Sequence, residues 1–139
     1  MPACDKDDDD NNNNNPQTSY TLSGNATGSQ EVPAVSTSGT GSLSGNYNSN
    51  TNLLNYTINW SGLTGPVNLM HFHGPAAVGL TASPVVTITG FTSAASGSVT
   101  GSATLTDAQE TDLLGGKWYY NLHTALYPNG EIRAQVVVQ

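Results

Sequence analysis

The three histidines of this 139-residue chain fall into two short motifs. His71 and His73 are separated by one residue, so on a β-strand both side chains project from the same face of the sheet. His123 lies in a second segment that shows the same alternation. If the two strands lie close together, three imidazoles converge, and neutral imidazoles are typical ligands of copper and zinc. The spacing therefore predicts a metal site formed by His71, His73 and His123.

The donor set also bears on which metal is bound. Three imidazoles without a cysteine or an obligatory carboxylate suit copper or zinc, and the affinity order of divalent metals favours copper. Met70 points to the opposite strand face, which makes it a packing residue rather than a ligand. Water or a substrate would occupy the remaining position. The alternative is that the histidines are structural and bond backbone carbonyls, Asn121 or Thr124.

Three polar residues near the histidine motifs are candidates for supporting roles. We expect Asn121, on the same strand face as His123, and Glu131 to orient a histidine, and Arg133 to guide anions toward the metal. Because Glu131 and Arg133 lie two residues apart on one strand, an ion pair or a cross-strand contact is the simpler explanation for them. The sequence contains no nucleophile elbow, no zinc-protease helix motif and no phosphate-binding loop, so hydrolytic chemistry is not expected.

The segments that carry these residues have the composition of an all-β protein. Only 9% of the residues are charged and glycine occurs 15 times, while the abundant threonine, serine and asparagine favour strands and turns over helices. Residues 53–60 alternate apolar and polar side chains, as a strand with one buried face does. The pattern predicts about eight strands, at residues 20–22, 40–47, 53–60, 67–73, 85–91, 97–105, 118–124 and 131–138.

One short helix is predicted at about residues 106–115. Thr106 and Gln109 have the spacing of a capping box, Leu113 provides an apolar contact, and Gly115-Gly116 ends the helix. Short, turn-bounded strands with a single helix favour a Greek-key β-sandwich. In the last strand the alternation predicts one inward set and one outward set: Ile132, Ala134, Val136 and Val138 against Glu131, Arg133 and Gln135.

The chain divides into a stalk, residues 1–17, and a domain, residues 18–139. The stalk contains an acidic run, five consecutive asparagines and Pro16, so it is expected to be disordered. The formal net charge is −7, yet the chain has only three lysines and arginines. Without a basic stripe, nucleic-acid binding is not expected. No apolar run is long enough to span a bilayer.

Five motifs beyond the stalk occur in an order that resembles the CHRD domain, the module named after chordin and common in bacterial secreted proteins. They are residues 28–35 (GSQEVPAV), 62–63 (GL), 71–76 (HFHGPA), 121–124 (NLHT) and 128–135 (PNGEIRAQ). The resemblance covers nearly all of the domain. One departure is Ala134, where the family usually has glycine. In chordin the module is an accessory to protein binding, so the resemblance is compatible with an extracellular protein partner.

The histidine motifs have a second, shorter likeness. Gly62-Leu63 followed by His71-X-His73 on a strand, with His123 on another strand, is similar to the copper site of Cu/Zn superoxide dismutase. The bridging histidine and the zinc ligands of that enzyme are missing here. The likeness is an analogy between sites, and it implies copper-dependent redox chemistry only if the protein is an enzyme, which the sequence leaves open.

Cys4 is the only cysteine, so no disulfide forms within the chain. Ala3-Cys4 followed by the acidic run at residues 5–10 resembles the processed start of a bacterial lipoprotein. The run itself resembles the export tag of surface lipoproteins in the Bacteroidetes. The resemblance implies a lipid on Cys4 and a domain held at the bacterial outer membrane or cell surface. The alternative is a disordered acidic leader in which the cysteine is incidental.

These observations lead to two hypotheses of different classes. The first is an extracytoplasmic lipoprotein whose domain binds copper, or else zinc, through His71, His73 and His123 for metal handling or simple redox chemistry. Its membrane contact would be through the lipid anchor alone. The second is a non-catalytic protein-binding or adhesion module in which the three histidines are structural.

Overall fold

The protein is described by a computed structural model that covers residues 16–139. The lipidation predicted at Cys4 and nearly all of the predicted stalk lie outside these residues. Within them, no helix has the length and apolar composition needed to cross a membrane. The described part contains nine strands, a short 3₁₀ turn at Gly28–Gln30 and one α-helix, which confirms the predicted all-β class.

The strands and the helix follow one another along the chain with short connections. Their bounds are β1 Ser19–Thr27, β2 Thr40–Asn48, β3 Leu53–Ser61, β4 Leu69–His73, β5 Pro84–Thr87, β6 Gly97–Thr104, α1 Asp107–Leu114, β7 Tyr119–His123, β8 Ile132–Gln135 and β9 Val137–Val138. The segment predicted as one strand at residues 131–138 forms two strands: β8 pairs mainly with β7 and by one residue with β1, whereas β9 pairs with β1. The strand predicted at residues 85–91 ends at Thr87.

All strand pairs are antiparallel and belong to one sheet with the order β5-β4-β7-β8-β1-β2-β3-β6, while β9 pairs with β1. The sheet folds back on itself. Tyr56 on β3 lies edge-on to Phe72 on β4, with ring centroids 5.1 Å apart, although these strands are far apart in the sheet order. The bend falls between β1 and β8, which share a single pair, Thr27 with Arg133. The result is a sandwich-like arrangement around one core.

The core follows from the alternation seen in the sequence. On β3 the predicted apolar face is buried, at no more than 5% exposure for Leu54, Tyr56, Ile58 and Trp60. Phe72 on β4 packs against Tyr120 on the neighbouring strand β7 and against Trp118, which immediately precedes that strand. Burial of these large side chains is the main favourable contribution to folding, at roughly 1.5–3 kcal/mol each.

The predicted helix forms where its capping box indicates. The Thr106 hydroxyl accepts a hydrogen bond from the Gln109 backbone N–H at 3.2 Å, and the Gln109 side chain accepts one from the Thr106 N–H at 3.0 Å. Leu113 is fully buried. The chain leaves the helix through Gly116, whose φ of +73° favours glycine. The helix packs beside the core and does not contribute a predicted ligand.

The side chains predicted to point outward from the last strand are not exposed to solvent, which corrects the sequence prediction. Arg133 is 2% exposed and Glu131 is fully buried, so both faces of this segment are covered. The loop at residues 74–83 covers this face at Arg133 and Gln135, while the segments that contain Thr37 and Thr64 cover Glu131. Leu80 O accepts a hydrogen bond from Arg133 Nη2, and Ala76 O accepts one from Gln135. An alternating pattern on one strand cannot show that a distant loop covers its polar face.

Candidate metal centre

The three histidines lie on two neighbouring strands. β4 and β7 pair antiparallel, with His71 opposite Asn121 and Leu69 opposite His123. This register brings the two histidine motifs onto one face. The ring centroid of His71 is 5.4 Å from that of His73 and 5.2 Å from that of His123. One ring nitrogen from each histidine lies within 4.8 Å of the other two. The predicted convergence of the three side chains is therefore present.

Two of the rings are oriented by backbone carbonyls. His123 Nδ1 lies 2.9 Å from Pro128 O, and His73 Nδ1 lies 2.9 Å from Ala82 O. Because a carbonyl oxygen only accepts hydrogen bonds, both Nδ1 atoms carry a proton and donate. The Nε2 atoms of these two rings are then the nitrogens available to a metal. A backbone acceptor behind a histidine is the arrangement that typically orients a metal ligand.

The third ring completes the group from the more open side. His71 is half-buried, whereas His73 and His123 are each 7% exposed. His71 Nδ1 lies 3.3 Å from His123 Nε2. Access to the cluster is therefore through the side on which His71 lies, and the two backbone-anchored rings form its inner wall.

The environment favours the neutral imidazoles that bind metals. Burial lowers the pKa of His71, and the neighbouring rings of His123 and His73 lower it further. Burial also lowers the pKa of His123, an effect that the bond to Pro128 partly opposes. Both rings thus remain neutral to lower pH than a solvent-exposed histidine, and their nitrogens stay available as ligands.

Tyr119 fixes the plane of His73. The two rings are stacked with centroids 4.6 Å apart and an interplanar angle of 5°. The Tyr119 hydroxyl donates to Ala82 O and accepts from Ala82 N–H, both at 3.1 Å, so it bonds the same residue that accepts from His73. The sequence placed Tyr119 on the same strand face as Asn121 and His123, and gave no signal that it stacks on His73. That contact depends on the cross-strand pair His73–Tyr119.

Arg133 packs on Tyr119, and the Tyr119 ring in turn packs on His73. Its guanidinium carbon lies 3.5 Å from the centroid of the Tyr119 ring, in cation–π geometry. Its Nη2 donates to Leu80 O at 2.6 Å. We expected Arg133 to guide anions toward the metal. Its guanidinium group is buried and is separated from His73 by the phenol ring, so it has no direct contact with the candidate ligands.

Asn121 contacts the site directly. Its Oδ1 lies 2.8 Å from His73 Nε2. Because the amide oxygen and the Ala82 carbonyl oxygen both only accept, the two hydrogen bonds form together only when both ring nitrogens of His73 carry a proton. The structure therefore places Asn121 beside a candidate ligand, in the position expected for a supporting residue. A metal bound at Nε2 would take the place of the proton on that nitrogen and so replace its hydrogen bond to Asn121.

Glu131 lies apart from the histidine rings. Its carboxylate accepts hydrogen bonds from the Thr37 and Thr124 hydroxyls, both at 2.9 Å, and from the backbone and side chain of Thr64. Burial alone would raise its pKa, but these hydrogen bonds outweigh burial and lower it. The carboxylate bonds neither a histidine nor Arg133 among these contacts, and it is linked to the site only because Thr124 follows His123.

Glu31 is a buried acid near the site that the sequence did not single out. It is 7% exposed, and its Oε1 has no hydrogen-bond partner among residues 16–139. Burial raises the pKa of Glu31 to about 7, while Arg133 and the Asn121 amide oppose that rise. The sequence offers only its place in the GSQEVPAV motif at residues 28–35, which contains no indication that this carboxylate is buried.

Comparison with known protein families identifies the family of this chain. The family model of the CHRD domain matches residues 22–136, which span the sheet from β1 to Val136 and include all three histidines. No curated protein and no solved structure matches the chain. The match covers most of the chain and confirms the resemblance carried by the five motifs. The chain therefore belongs to the CHRD domain family.

Proposed function

We propose that this CHRD domain binds one copper ion through His71, His73 and His123, with zinc as the second candidate. The observation that carries the proposal is the convergence of one nitrogen from each ring within 4.8 Å. Two nitrogens bound at about 2.0–2.1 Å to a tetrahedral metal lie about 3.3 Å apart. His71 Nδ1 and His123 Nε2 lie 3.3 Å apart, which is the separation for a tetrahedral ion. Adjacent nitrogens at about 2.0 Å on a tetragonal Cu²⁺ ion lie about 2.8 Å apart, so this pair would have to close by about 0.5 Å to bind copper in that geometry.

The surroundings of the site favour metal handling over steered redox chemistry. An enzyme that attracts a small anion uses exposed positive charge near its metal. Arg133 is 2% exposed and lies behind Tyr119, so it is poorly placed to attract superoxide. Binding through three imidazoles leaves one position of a four-coordinate ion open, which suits uptake and release. We therefore favour storage or delivery, with copper-dependent redox chemistry as the catalytic alternative.

The location of this function is part of the proposal. CHRD is an extracellular-type module, and a lipid on Cys4 would hold the domain at the bacterial outer membrane or cell surface. The acidic run after Cys4 supports this placement through its resemblance to a lipoprotein export tag. Mass spectrometry of the protein from its native membrane fraction should find a lipid-modified Cys4. Release of the Cys4→Ala variant from that fraction would agree with anchoring, and full retention would contradict it.

A non-catalytic protein-binding module is the second candidate. Both Nδ1 atoms of His73 and His123 bond backbone carbonyls, and His73 Nε2 bonds Asn121. These bonds would also stabilise the fold if no metal were ever bound. Membership of the CHRD family supports this candidate as well, because the chordin module assists protein binding.

Metal titration of the full-length, untagged protein separates the two candidates. A Cys4→Ser background removes the thiol as a ligand, and titrations with Cu²⁺ and Zn²⁺ are followed by calorimetry and elemental analysis. We expect one metal ion per chain, with affinity reduced at least about 100-fold in the triple His→Ala variant. Asn59→Ala, an exposed residue on the outer face of β3, is the matched control and should bind as the parent does.

Two outcomes would contradict the metal site. Stoichiometric binding that survives the triple substitution would place the metal elsewhere, and absence of binding to the parent would favour the protein-binding module. If the triple variant does not fold, His71→Ala decides the question. His71 is half-buried and has a single hydrogen bond, to His123, so its loss should leave the fold intact while removing one ligand.

A further inference from the structure

The side chain of Asn121 occupies the metal-facing nitrogen of one candidate ligand. Asn121 is 3% exposed, and its Oδ1 lies 2.8 Å from Nε2 of His73. The other nitrogen of that ring, Nδ1, lies 2.9 Å from Ala82 O. Both nitrogens of His73 are therefore hydrogen-bonded, whereas Nδ1 of His71 and Nε2 of His123 face each other at 3.3 Å. A metal that uses all three rings has to displace the amide of Asn121.

The orientation of this amide is fixed from its other side. Asn121 Nδ2 donates to Asn129 O at 3.5 Å. As a hydrogen-bond donor the amide also lowers the pKa of the buried Glu31 carboxyl group. Because an amide nitrogen only donates, these two acceptors hold Nδ2 on their side and leave Oδ1 turned toward His73. A flipped amide would point its oxygen at both acceptors and lose these bonds.

Gly130 closes the space around the amide. Its φ of +120° lies in the region that favours glycine. A Cβ built at this position would lie 2.6 Å from Asn121 Nδ2 and 2.5 Å from Glu31 Oε1, so the loop backbone packs directly against both side chains. The amide has little room to turn away. Its oxygen therefore stays at Nε2 of His73 until the imidazole gives up the bond.

The other buried ring, His123, has no such competitor. Both buried rings are anchored at Nδ1 by a backbone carbonyl. Among residues 16–139, the hydrogen-bonding contact on His123 Nε2 is Nδ1 of His71, which is itself a candidate ligand. The two buried rings are thus held alike at one nitrogen and differ in what faces the other. Asn121 acts on His73 alone.

A hydrogen bond that the metal must displace weakens metal binding. The bond to Asn121 stabilises the metal-free protein only, and in the metal-bound protein the buried amide oxygen loses its donor. Affinity is the difference between these two states, so the lost bond counts against the metal. One hydrogen bond of this kind corresponds to about a tenfold change in affinity.

We propose that Asn121 competes with the metal for Nε2 of His73 and thereby keeps the bound metal exchangeable. The inference rests on the proposed metal site and specifies how that site takes up and releases its ion. The ion first binds the pair formed by His71 and His123. His73 joins when Nε2 exchanges the amide oxygen for the metal and the Nε2 proton passes to solvent. On release, Nε2 takes up a proton and bonds Asn121 again, which suits storage or delivery.

Replacing Asn121 by alanine tests the competition. Asn121→Ala removes the acceptor at Nε2 and leaves all three histidines in place. Competitive titration of the full chain with Cu²⁺ and Zn²⁺, in the Cys4→Ser background, should give an affinity about tenfold higher than that of the parent. Transfer of the bound metal to excess EDTA should be slower. Asn129→Ala is the matched control, because it removes an exposed asparagine side chain nearby and keeps the carbonyl that accepts from Asn121. It should bind as the parent does.

A second background separates competition from a general effect on the fold. In His73→Ala there is no ring for the amide to occupy, so adding Asn121→Ala should leave the affinity unchanged. An equal rise in both backgrounds would overturn the competition. Unchanged or lower affinity of Asn121→Ala, with the parent bound through its three histidines, would also overturn it while the metal site stands. Absence of metal binding to both the parent and Asn121→Ala would overturn the metal site and the competition together.

If Asn121→Ala does not fold, NMR of the parent decides the question. Zn²⁺ and Cu⁺ are diamagnetic, so the imidazole of His73 can be followed through a titration with either ion. We expect the Nε2 proton signal of His73 to disappear and the side-chain amide signals of Asn121 to shift together as one equivalent binds. Persistence of the Nε2 proton, still bonded to Asn121, in the metal-saturated protein would overturn the proposal.

Discussion

The ring of Tyr119 lies flat against the ring of His73, with centroids 4.6 Å apart and planes within 5° of parallel. The Tyr119 hydroxyl also bonds Ala82, whose carbonyl accepts from His73 Nδ1. Tyr119 thus restrains His73 at its face and, through Ala82, at its edge. In a binding site, a ligand that is already oriented loses less conformational entropy when the metal arrives.

Replacing Tyr119 should weaken metal binding without removing a ligand. Because outer partners of metal ligands contribute roughly 10–100-fold to affinity, we expect Tyr119→Leu to reduce copper affinity by about tenfold, as measured by competitive titration. Tyr119→Phe keeps the stack and loses only the Ala82 bonds, so its loss should be smaller. Equal affinity of Tyr119→Leu and the parent would show that the stack does not orient a ligand.

Copper should stabilise the folded domain through the three histidines. A ligand that binds only the native state at 100 times its dissociation constant adds about 2.7 kcal/mol to the free energy of unfolding. For a domain of this size we expect Tm to rise by several degrees in calorimetry. EDTA should reverse the rise, and His71→Ala should abolish it. A rise of equal size in His71→Ala would place the stabilising ion outside the cluster.

Glu31 should make the stability of the protein fall as pH rises from about 4.5 to 7. Its pKa is raised from 4.5 to about 7 by burial, so in this window the folded state binds more protons than the unfolded state. The stabilising contribution is complete below pH 4.5 and is lost as pH passes the folded value. The full effect is on the order of 3 kcal/mol.

Comparison with Glu31→Gln isolates that contribution. The histidines titrate in an overlapping range, so the quantity to measure is the difference between the urea unfolding free energies of the parent and Glu31→Gln at each pH. We expect the parent to lose stability relative to the variant between pH 4.5 and 7. A difference that does not change with pH would show that the carboxyl group of Glu31 is not shifted.

Glu131 should act on stability in the opposite direction. Hydrogen bonds from Thr64, Thr124 and Thr37 outweigh burial and lower its pKa. Its stabilising contribution is therefore present above the unfolded value of 4.5 and is lost as pH falls through the lower folded value. Glu131→Gln leaves some of these donors without an acceptor, so we expect a loss of about 2–4 kcal/mol at pH 7 in urea unfolding.

The same variant can distinguish a structural role from a role at the metal. Asp112→Asn is the matched control and should change the unfolding free energy by less than about 0.5 kcal/mol. If Glu131→Gln still folds, its copper affinity should stay close to that of the parent, because no hydrogen bond joins this carboxylate to a histidine. A selective loss of copper affinity with unchanged stability would instead support the orienting role expected from the sequence.

The sequence by itself determined the fold class and the face shared by the histidines. The alternation along residues 53–60, the capping box at Thr106 and the turn-bounded strands depend on local geometry, since side chains alternate on a strand and cap residues act within one turn. His71 and His73 share a face for the same reason. The five motifs indicated the CHRD family before any contact was known.

Only the tertiary structure decided which groups surround the site. The stacking of Tyr119 on His73 depends on the register between β4 and β7, and the burial of Arg133 depends on a loop that crosses the outer face of the sheet. Glu31 approaches Asn121 although ninety residues separate them in the chain. A local pattern contains no information about register, loop coverage or distant approach, because these are fixed by packing of the whole sheet around one core.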